Sequence, residues 1–382
     1  MAVADVVIIG GGIAGASLGY RLASRCKVVI LEAEDQPGYH STGRSAALFT
    51  ATYGHPVIRA LTVASRDFLS QPAGEFAQTE MMSPRGALWI ARQDQRATLE
   101  TFLAEVTPLD PSVAACSPED AAALCPVLGR DYVAAAASEP HACDIDVASL
   151  HQGYLNGFRR RGGQVVTGAR VGEIRRNGKT WEICASTGAW STRTVVNAAG
   201  AWADEIAAMA GARPIGLTPK RRTAITFDPP RDVDPRAWPC VLDVDETFYF
   251  KPDAGRILAS PADETPTAPS DAQPEELDIA VTVDRIETAT TLQVRRIASR
   301  WAGLRSFVAD KVPVVGPAPD AEGFFWLAGQ GGYGIMTSPA LSDVAAALLL
   351  GEALPQQIAD LGVRTWDLSA ERLQASGLRQ PV

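Results

Sequence analysis

Short all-apolar runs rich in β-branched residues, each closed by a glycine turn, recur from one end of this chain to the other. The first is Val6-Val7-Ile8-Ile9, too brief for a helix and apolar on both faces, which predicts a buried parallel strand. Gly10-Gly11-Gly12-Ile13-Ala14-Gly15 follows at once, and Ala14, Leu18 and Leu22 then repeat at helical spacing. Val28-Val29-Ile30-Leu31 is a second strand that ends on Glu32. Two later runs have the same form. Thr194-Val195-Val196-Asn197 passes into Ala198-Ala199-Gly200-Ala201, and Phe324-Phe325-Trp326-Leu327-Ala328 passes into Gly329-Gln330-Gly331-Gly332-Tyr333-Gly334, ahead of a helix through Ala340–Leu350. In between, Val147, Leu150, Tyr154 and Phe158 stripe a helix that stops at Gly162-Gly163, and a strand Gln164–Val166 follows. Pro261–Asp278, dense in prolines and acids, is expected to be an exposed loop, and helical spacing resumes at Ile279, Val283 and Ile286.

Strand, glycine turn, helix, strand and acid within about 30 residues form a dinucleotide-binding unit. Gly10 permits the tight turn, Gly12 lets backbone approach a pyrophosphate, and Gly15 lets the helix pack close to the sheet. The helix N-terminus offers free N–H groups and partial positive charge to the phosphates. Glu32 stands where a carboxylate accepts hydrogen bonds from ribose hydroxyls, and an acid there disfavours a 2′-phosphate. The fingerprint does not separate FAD from NAD. Further small-residue segments bear on that choice: Ser41-Thr42-Gly43-Arg44-Ser45-Ala46-Ala47 after the second strand, and the two later glycine junctions. Glycine-bearing strand ends at the start, middle and end of the chain predict a discontinuous cofactor domain.

Composition narrows the class. A chain of 382 residues, 46% hydrophobic and 21% charged, has room for two domains and a sizeable core. Its net charge of −9 points away from nucleic acid and from anionic lipid. No apolar stretch is long enough for a transmembrane helix, and the apolar N-terminus, interrupted by Asp5 and without a basic start, does not read as a signal peptide. The cysteines 26, 116, 125, 143, 184 and 240 are irregularly spaced and are expected to be reduced, mostly buried thiols of a cytoplasmic protein. The four histidines show no metal-ligand spacing, so no metal is expected.

Taken together, the segments VVIIGGGIAGAS, QPGYHSTGRSAA, SPR at 83–85, DIDVASLHQGYL, VVNAAGAWAD, LTPKRR, FYFKPDAG, WAGLRSFVAD and QGGYGI resemble the D-amino-acid dehydrogenase and glycine oxidase group of FAD-dependent amine oxidoreductases, nearest to its arginine-specific member. The resemblance spans nearly the whole chain. It implies an α/β fold, with a discontinuous Rossmann-type FAD domain (1–78, 142–200 and 302–382) and an α+β substrate domain (79–141 and 201–301) carrying a mainly antiparallel sheet. It implies noncovalent FAD, held by the glycine loop with Ile13, Ala14 and Glu32, by residues 42–47 (Thr42, Gly43, Arg44, Ser45, Ala46, Ala47), by Val171, Ala199 and Gly200, and by Gly303, Arg305, Gly331, Gly332, Tyr333, Gly334 and Ile335.

An amino-acid substrate needs its carboxylate clamped and its Cα–H aimed at flavin N5, and arginine is the natural clamp because its planar fork pairs both oxygens. The resemblance assigns this work to Arg222, Tyr249 and Arg305, with Arg221 the neighbour most easily confused with Arg222. It makes Tyr53, between Thr52 and Gly54, a lid facing the substrate, and turns the backbone at Gly332 toward the substrate amine. No strong base stands out, and His40 is a poor candidate. Leu48, Ala87 and Met336 are expected to line the side-chain pocket. The arginine-preferring relative is similar but carries histidine and glutamate at the positions of Leu48 and Ala87. Losing that charge partner should cost a guanidinium side chain several kcal/mol at order of magnitude, so neutral D-amino acids are the expected substrates. A 2-hydroxy-acid dehydrogenase, an N-alkyl amino-acid oxidase of the glycine or sarcosine type, and a flavin-binding subunit without amine chemistry are the alternatives. The electron acceptor is left open by these residues.

Overall fold

The computed structural model describes residues 1–375 apart from 73, 75 and 78, so the expected segment end at 78 and the stretch 376–382 lie outside the described residues. The apolar runs assemble one six-stranded sheet in the order Gln164–Val166, Val28–Leu31, Val6–Ile9, Thr194–Asn197, Phe324–Ala328, Val314–Pro317. All neighbours are parallel except the last pair. The alternation of side chains explains why Val6–Ile9 had to be apolar throughout. Val6 and Ile8 pack with Leu18, Leu22 and Val344, from helices Ile13–Leu22 and Gly334–Leu350. Val7 and Ile9 pack on the opposite side with Trp181, Ile183 and Trp190 of an antiparallel meander, 171–192. Each such side chain taken fully out of water contributes about 1.5–3 kcal/mol.

Close approach at the glycine turn is literal. A Cβ on Gly15 would lie 2.0 Å from the carbonyl oxygen of Gly10, and Gly10 itself has φ +106° with the Ala198 carbonyl 2.3 Å from where its Cβ would stand. Helix Val147–Arg160 braces the turn from behind: His151 Nε2 donates to the carbonyl oxygen of Gly11 at 2.8 Å. The helix after Phe324–Ala328 starts at Gly334 rather than at 340, and Pro339 lies inside it. Proline and the preceding glycines make that turn read as a breaker in the sequence, yet packing against Pro56–Ser70 carries the helix through.

A second, nine-stranded sheet takes strands from the middle of the chain, with Thr218–Phe227 paired along its length to Ile297–Phe307. Its pairs are antiparallel except Ala87–Ala91 with Cys240–Asp243. One face carries Leu88, Ile90, Ile225, Val241 and Phe250 against helix Glu276–Ala289. The other face looks toward the first sheet. Strand Ile297–Phe307 straddles the domain boundary expected at 302, because its pairing with Thr218–Phe227 continues to Phe307.

Two expectations are corrected. Segment 261–278 is not simply an exposed loop: Thr265–Pro266 adds as an edge strand to Lys220-Arg221, Ala272 is buried, and Asp263 takes hydrogen bonds from the Thr223 N–H and hydroxyl. The acids that looked like solvent-facing charge neutralise Lys220, Arg221 and Arg222 instead. The cysteines are free, but only Cys125 and Cys240 are buried, and Cys184 is exposed. No described helix is long and apolar enough to cross a membrane.

Burial lowers the pKa of His151 and so keeps the ring neutral behind the glycine turn. The unfolded chain therefore binds a proton first as pH falls. This contribution to stability is whole above about pH 6.5, the ordinary histidine value, and shrinks below it until the folded-state pKa is passed. His151→Gln, whose amide can donate the same bond to Gly11, is expected to flatten that part of the curve in urea melts between about pH 5 and 7.5.

Candidate active site

The site forms where the glycine turns of the first sheet meet the inner face of the second. A cavity of about 340 Å³, in the range of small-molecule and cofactor sites, runs from Glu32, Glu34 and Val171 past Gly10, Gly12, Ile13 and Ala14. It continues along Thr42, Arg44, Ser45, Ala46, Ala199 and Gly200 and ends among Arg222, Tyr249, Gly303, Arg305, Gly331, Gly332, Gly334 and Ile335. Most of the residues expected to hold the cofactor are thus brought together on one surface.

At the first end Glu32 accepts from the N–H groups of Gly11 at 2.8 Å and Glu34 at 2.9 Å, which aims its carboxylate. Thr42 Oγ1 accepts from the Ile13 N–H at 3.0 Å, tying the 41–47 segment to the helix N-terminus. Arg44 lines the cavity, and its guanidinium is engaged by a neighbouring segment. It binds Asp271 and the carbonyls of Ala272 and Ala302, each at 2.9 Å, and so holds segment 271–272 against strand Ile297–Phe307. His40 pairs with Glu34 Oε1 at 3.1 Å and its ring packs on Trp202 at this same end.

The far end is set by strand register. Arg222 lies opposite Gly303 and Lys220 opposite Arg305, so Lys220, Arg222 and Arg305 share one face. Tyr249, opposite Leu242 and Ser260, lines the same cavity. Arg221 points the other way, into Asp278 and Glu275 of the covering helix. The confusion between the two neighbouring arginines is therefore resolved by the pleat. Arg222 donates through Nε to the Asp263 carbonyl at 2.9 Å, and its Nη2 lies 3.5 Å from Glu264, which Lys220 and Lys311 also bind. Glu246, an exposed residue at φ +55°, adds a carboxylate that faces Lys311, Arg222 and Arg305. Gly332 leaves room for Arg305: a Cβ there would stand 2.8 Å from the guanidinium. Arg305 Nη1 donates to the Tyr53 hydroxyl at 3.5 Å. The Tyr53 ring packs 5.1 Å from Tyr333 and 6.5 Å from Trp89.

Burial works against the Arg305 charge, but the hydroxyls of Tyr53, Tyr249 and Tyr333 outweigh it and its pKa is raised. Burial also raises Tyr53 and Tyr333, so both phenols stay protonated and act as donors, not bases.

Some expected residues stay off the cavity wall. Gly15 and Gly43 serve backbone packing, and Gly43 closes its turn on the Gly38 carbonyl at 2.7 Å. Ala47 is packed beside the cavity. Leu48 pairs with Asp144 in a small three-stranded sheet, Ala87 is buried within its strand, and Met336 is buried against Ile13, Phe307 and Tyr333. These three do not line the cavity. Tyr53 and Tyr333 stand just behind its far end.

A cofactor test comes from polar atoms. Among the described residues, six buried side-chain polar atoms lack a hydrogen-bond partner, and three of them, His40 Nδ1, Ser306 Oγ and Gln330 Nε2, belong to residues of this one cavity. Natural interiors rarely leave such atoms unpaired, so this wall fits a long polar ligand such as a dinucleotide. Ser306 and His40 carried no signal in the sequence beyond their place in the quoted segments. Among the described residues no cluster of His, Cys, Asp or Glu could hold a metal ion, and no cysteine lines the cavity.

Comparisons with known proteins agree with this layout. The family described as FAD dependent oxidoreductase (DAO) matches residues 5–348. Hydrogen cyanide synthase subunit HcnC of Pseudomonas aeruginosa is 26% identical, over 93% of this chain and 94% of that protein. Glycine oxidase of Pseudomonas putida is 25% identical, over 91% of this chain and 94% of its own length. The crystal structure of L-proline dehydrogenase from P. horikoshii superposes with a TM-score of 0.85 at 22% identity, covering 99% of this chain and 100% of that one. At that identity the likeness speaks to fold alone.

Arg221→Met is expected to cost about 3 kcal/mol of stability, as removing one partner from a buried ion network does, while leaving the visible spectrum of bound FAD unchanged. Arg222→Met, on the opposite face, is expected to shift that spectrum. Urea melts and absorbance spectra of both variants check this. Equal spectral shifts would contradict the facing set by the register.

Proposed function

The chain belongs to the FAD dependent oxidoreductase (DAO) family, and on that premise we propose that it oxidises small amino acids, preferring D-amino acids with neutral side chains, to imino acids that water then converts to 2-keto acids and ammonia. One observation carries the reading: two arginines, Arg222 and Arg305, and the tyrosines Tyr249 and Tyr53 converge at the end of a cavity whose rest suits a dinucleotide.

The glycine turn, Glu32 and the 42–46 wall would hold FAD without a covalent bond. FAD held there would supply the two-electron acceptor for hydride from the substrate Cα. Everything else is the work of this chain. Arg222 and Arg305 take the substrate carboxylate, and the hydroxyls of Tyr249 and Tyr53 complete its hydrogen bonds. The clamp holds Cα in one orientation, and such fixing supplies a large share of the rate. Tyr53 and Tyr333 are held protonated by burial and cannot take a proton from the substrate ammonium. The amine must therefore arrive neutral, so flavin reduction is expected to speed up as pH rises toward the amine's own pKa.

The neutral preference rests on the resemblance, in which Leu48 and Ala87 take the places of a cation's partners; neither residue lines the cavity. A second reading, oxidation of glycine or of an N-alkyl amino acid of the sarcosine type, is favoured by the name of one similar protein, the glycine oxidase of Pseudomonas putida.

The test is anaerobic mixing of the yellow holoenzyme with D-leucine, L-leucine, D-arginine, sarcosine, L-proline and D-lactate. Rapid bleaching by D-leucine, with L-leucine inert and D-arginine at least about tenfold slower in kcat/KM, a gap of about 1.4 kcal/mol, is the expected result. Bleaching by sarcosine or L-proline alone would install the second reading. Acid denaturation is expected to release all the yellow colour into the supernatant, and colour kept by the precipitate would contradict noncovalent binding.

A further inference from the structure

One buried acid takes no part in the steps above. Glu139 ends strand Ala135–Glu139 and is 1% exposed. It has no cationic partner among its hydrogen bonds. Instead its carboxylate gathers three consecutive residues of another segment. Thr50 Oγ1 donates to Oε2 at 2.8 Å, Thr52 Oγ1 donates to Oε2 at 2.7 Å, and the Ala51 N–H donates to Oε1 at 3.0 Å. The next residue is Tyr53.

Burial along this segment falls in steps. Phe49, Thr50, Ala51 and Thr52 are buried, Tyr53 and Gly54 are half-buried, and His55 and Pro56 are exposed before helix Pro56–Ser70 begins. Gly54 has φ +86°, and a Cβ there would meet the Tyr333 ring at 2.9 Å, so the turn just after Tyr53 is one that glycine alone makes readily. The hydrogen bonds to Glu139 thus end at Thr52, and Tyr53 is the first residue beyond them.

Register ties this pin to the substrate side of the molecule. Glu139 lies opposite Ala87, and Ala87 lies opposite Cys240. Residues opposite one another share a face, and Leu242 and Tyr249 continue that face two residues on. Glu139 therefore belongs to the same inner surface as Tyr249.

We infer that Glu139 is a positioning residue for Tyr53: it fixes residues 50–52 to the substrate sheet and so sets where the tyrosine hydroxyl meets Arg305. A carboxylate buried among neutral donors is a poor route to stability, since apolar residues of the same volume often serve as well or better. Burial raises the Glu139 pKa, which marks that cost. What three convergent hydrogen bonds provide is direction, and a loop tip that must return to one place needs it. The inference rests on the proposed reading of Tyr53 as a substrate contact.

The test uses the FAD-loaded protein. Amide hydrogen exchange in residues 50–53 is expected to accelerate at least about tenfold in Glu139→Ala, with distant strands unchanged, and to return toward wild type in Glu139→Gln, whose amide can still accept from Ala51 and donate to the threonine hydroxyls. In anaerobic reduction by D-leucine, Glu139→Ala is expected to raise the apparent Kd about tenfold with the limiting rate changed less than about twofold. Tyr53→Phe should weaken D-leucine clearly in the wild-type background and far less in the Glu139→Ala background, because a misplaced hydroxyl has little left to lose. If Glu139→Ala does not fold, the double variant Thr50→Val/Thr52→Val removes two of the three donors and is read the same way. Unchanged exchange at 50–53, or a Tyr53→Phe effect of full size without Glu139, overturns the proposal. If Tyr53→Phe is silent in the wild-type background, or D-leucine reduces none of the proteins, it is the functional reading that falls, and the exchange result alone decides whether Glu139 anchors the segment.

Discussion

The pairing of Thr218–Phe227 with Ile297–Phe307 is the constraint on which the site depends. Side chains alternate along a strand with a period of two, so a slip of one residue would turn every polar group on these strands to the other face. In the observed register Arg222 and Arg305 look into the cavity, while Arg221 is matched by Asp278 and Glu275 beneath the covering helix. In a slipped register Arg221 would turn away from Asp278 and Glu275, and Arg222 and Arg305 would leave the cavity for the face that carries Val241 and Phe250. An uncompensated charge in such a core costs several kcal/mol in practice. The ion partners of Arg221 hold the covering helix to the strand whose other face carries Arg222.

The first sheet was legible because its demands are local. A strand buried on both faces must be apolar at every position, and a turn whose carbonyl lies 2.0 Å from a missing Cβ must use glycine. Both demands are written in adjacent residues. The nine-stranded sheet is another matter. Nothing in Lys220-Arg221-Arg222 says which arginine faces inward; only pairing with a strand some eighty residues away decides it, and resemblance to a known family had to supply the answer. His151, Glu139 and Asp263 were passed over for the same reason. Each is an ordinary polar residue until a distant backbone group is brought within hydrogen-bonding reach of it. Segment 261–278 was misread because proline and acid content reports a lack of regular structure, not a lack of partners.

Charge at the far end of the cavity is balanced in a way that bears on chemistry. Arg222 shares Glu264 with Lys220 and Lys311, so its positive charge is partly answered from the outer side. Arg305 has the Tyr53 hydroxyl as hydrogen-bond partner and shares the carboxylate of Glu246 with Lys311 and Arg222, and its charged form is favoured even though burial opposes it. A buried guanidinium hydrogen-bonded to a hydroxyl is a stronger attractor for an incoming anion than one in direct contact with a carboxylate, because no such contact has to be displaced first. The two arginines are thus unequal: Arg222 lies 3.5 Å from the Glu264 carboxylate, whereas Arg305 hydrogen-bonds a tyrosine hydroxyl.

That inequality also explains why Tyr53 needs careful placement. Its hydroxyl is one of the groups that compensate Arg305, and it lies at the long end of hydrogen-bonding distance, 3.5 Å. When a carboxylate enters, the same hydroxyl can turn from accepting Arg305 to donating to the substrate, which its raised pKa favours by keeping the proton on the phenol. The exchange works only if the oxygen stays within reach of both partners. Packing of the ring between Tyr333 and Trp89 limits its sideways travel, and the pinned residues 50–52 limit its approach along the chain. A residue in a turn is then placed almost as closely as one held in a sheet.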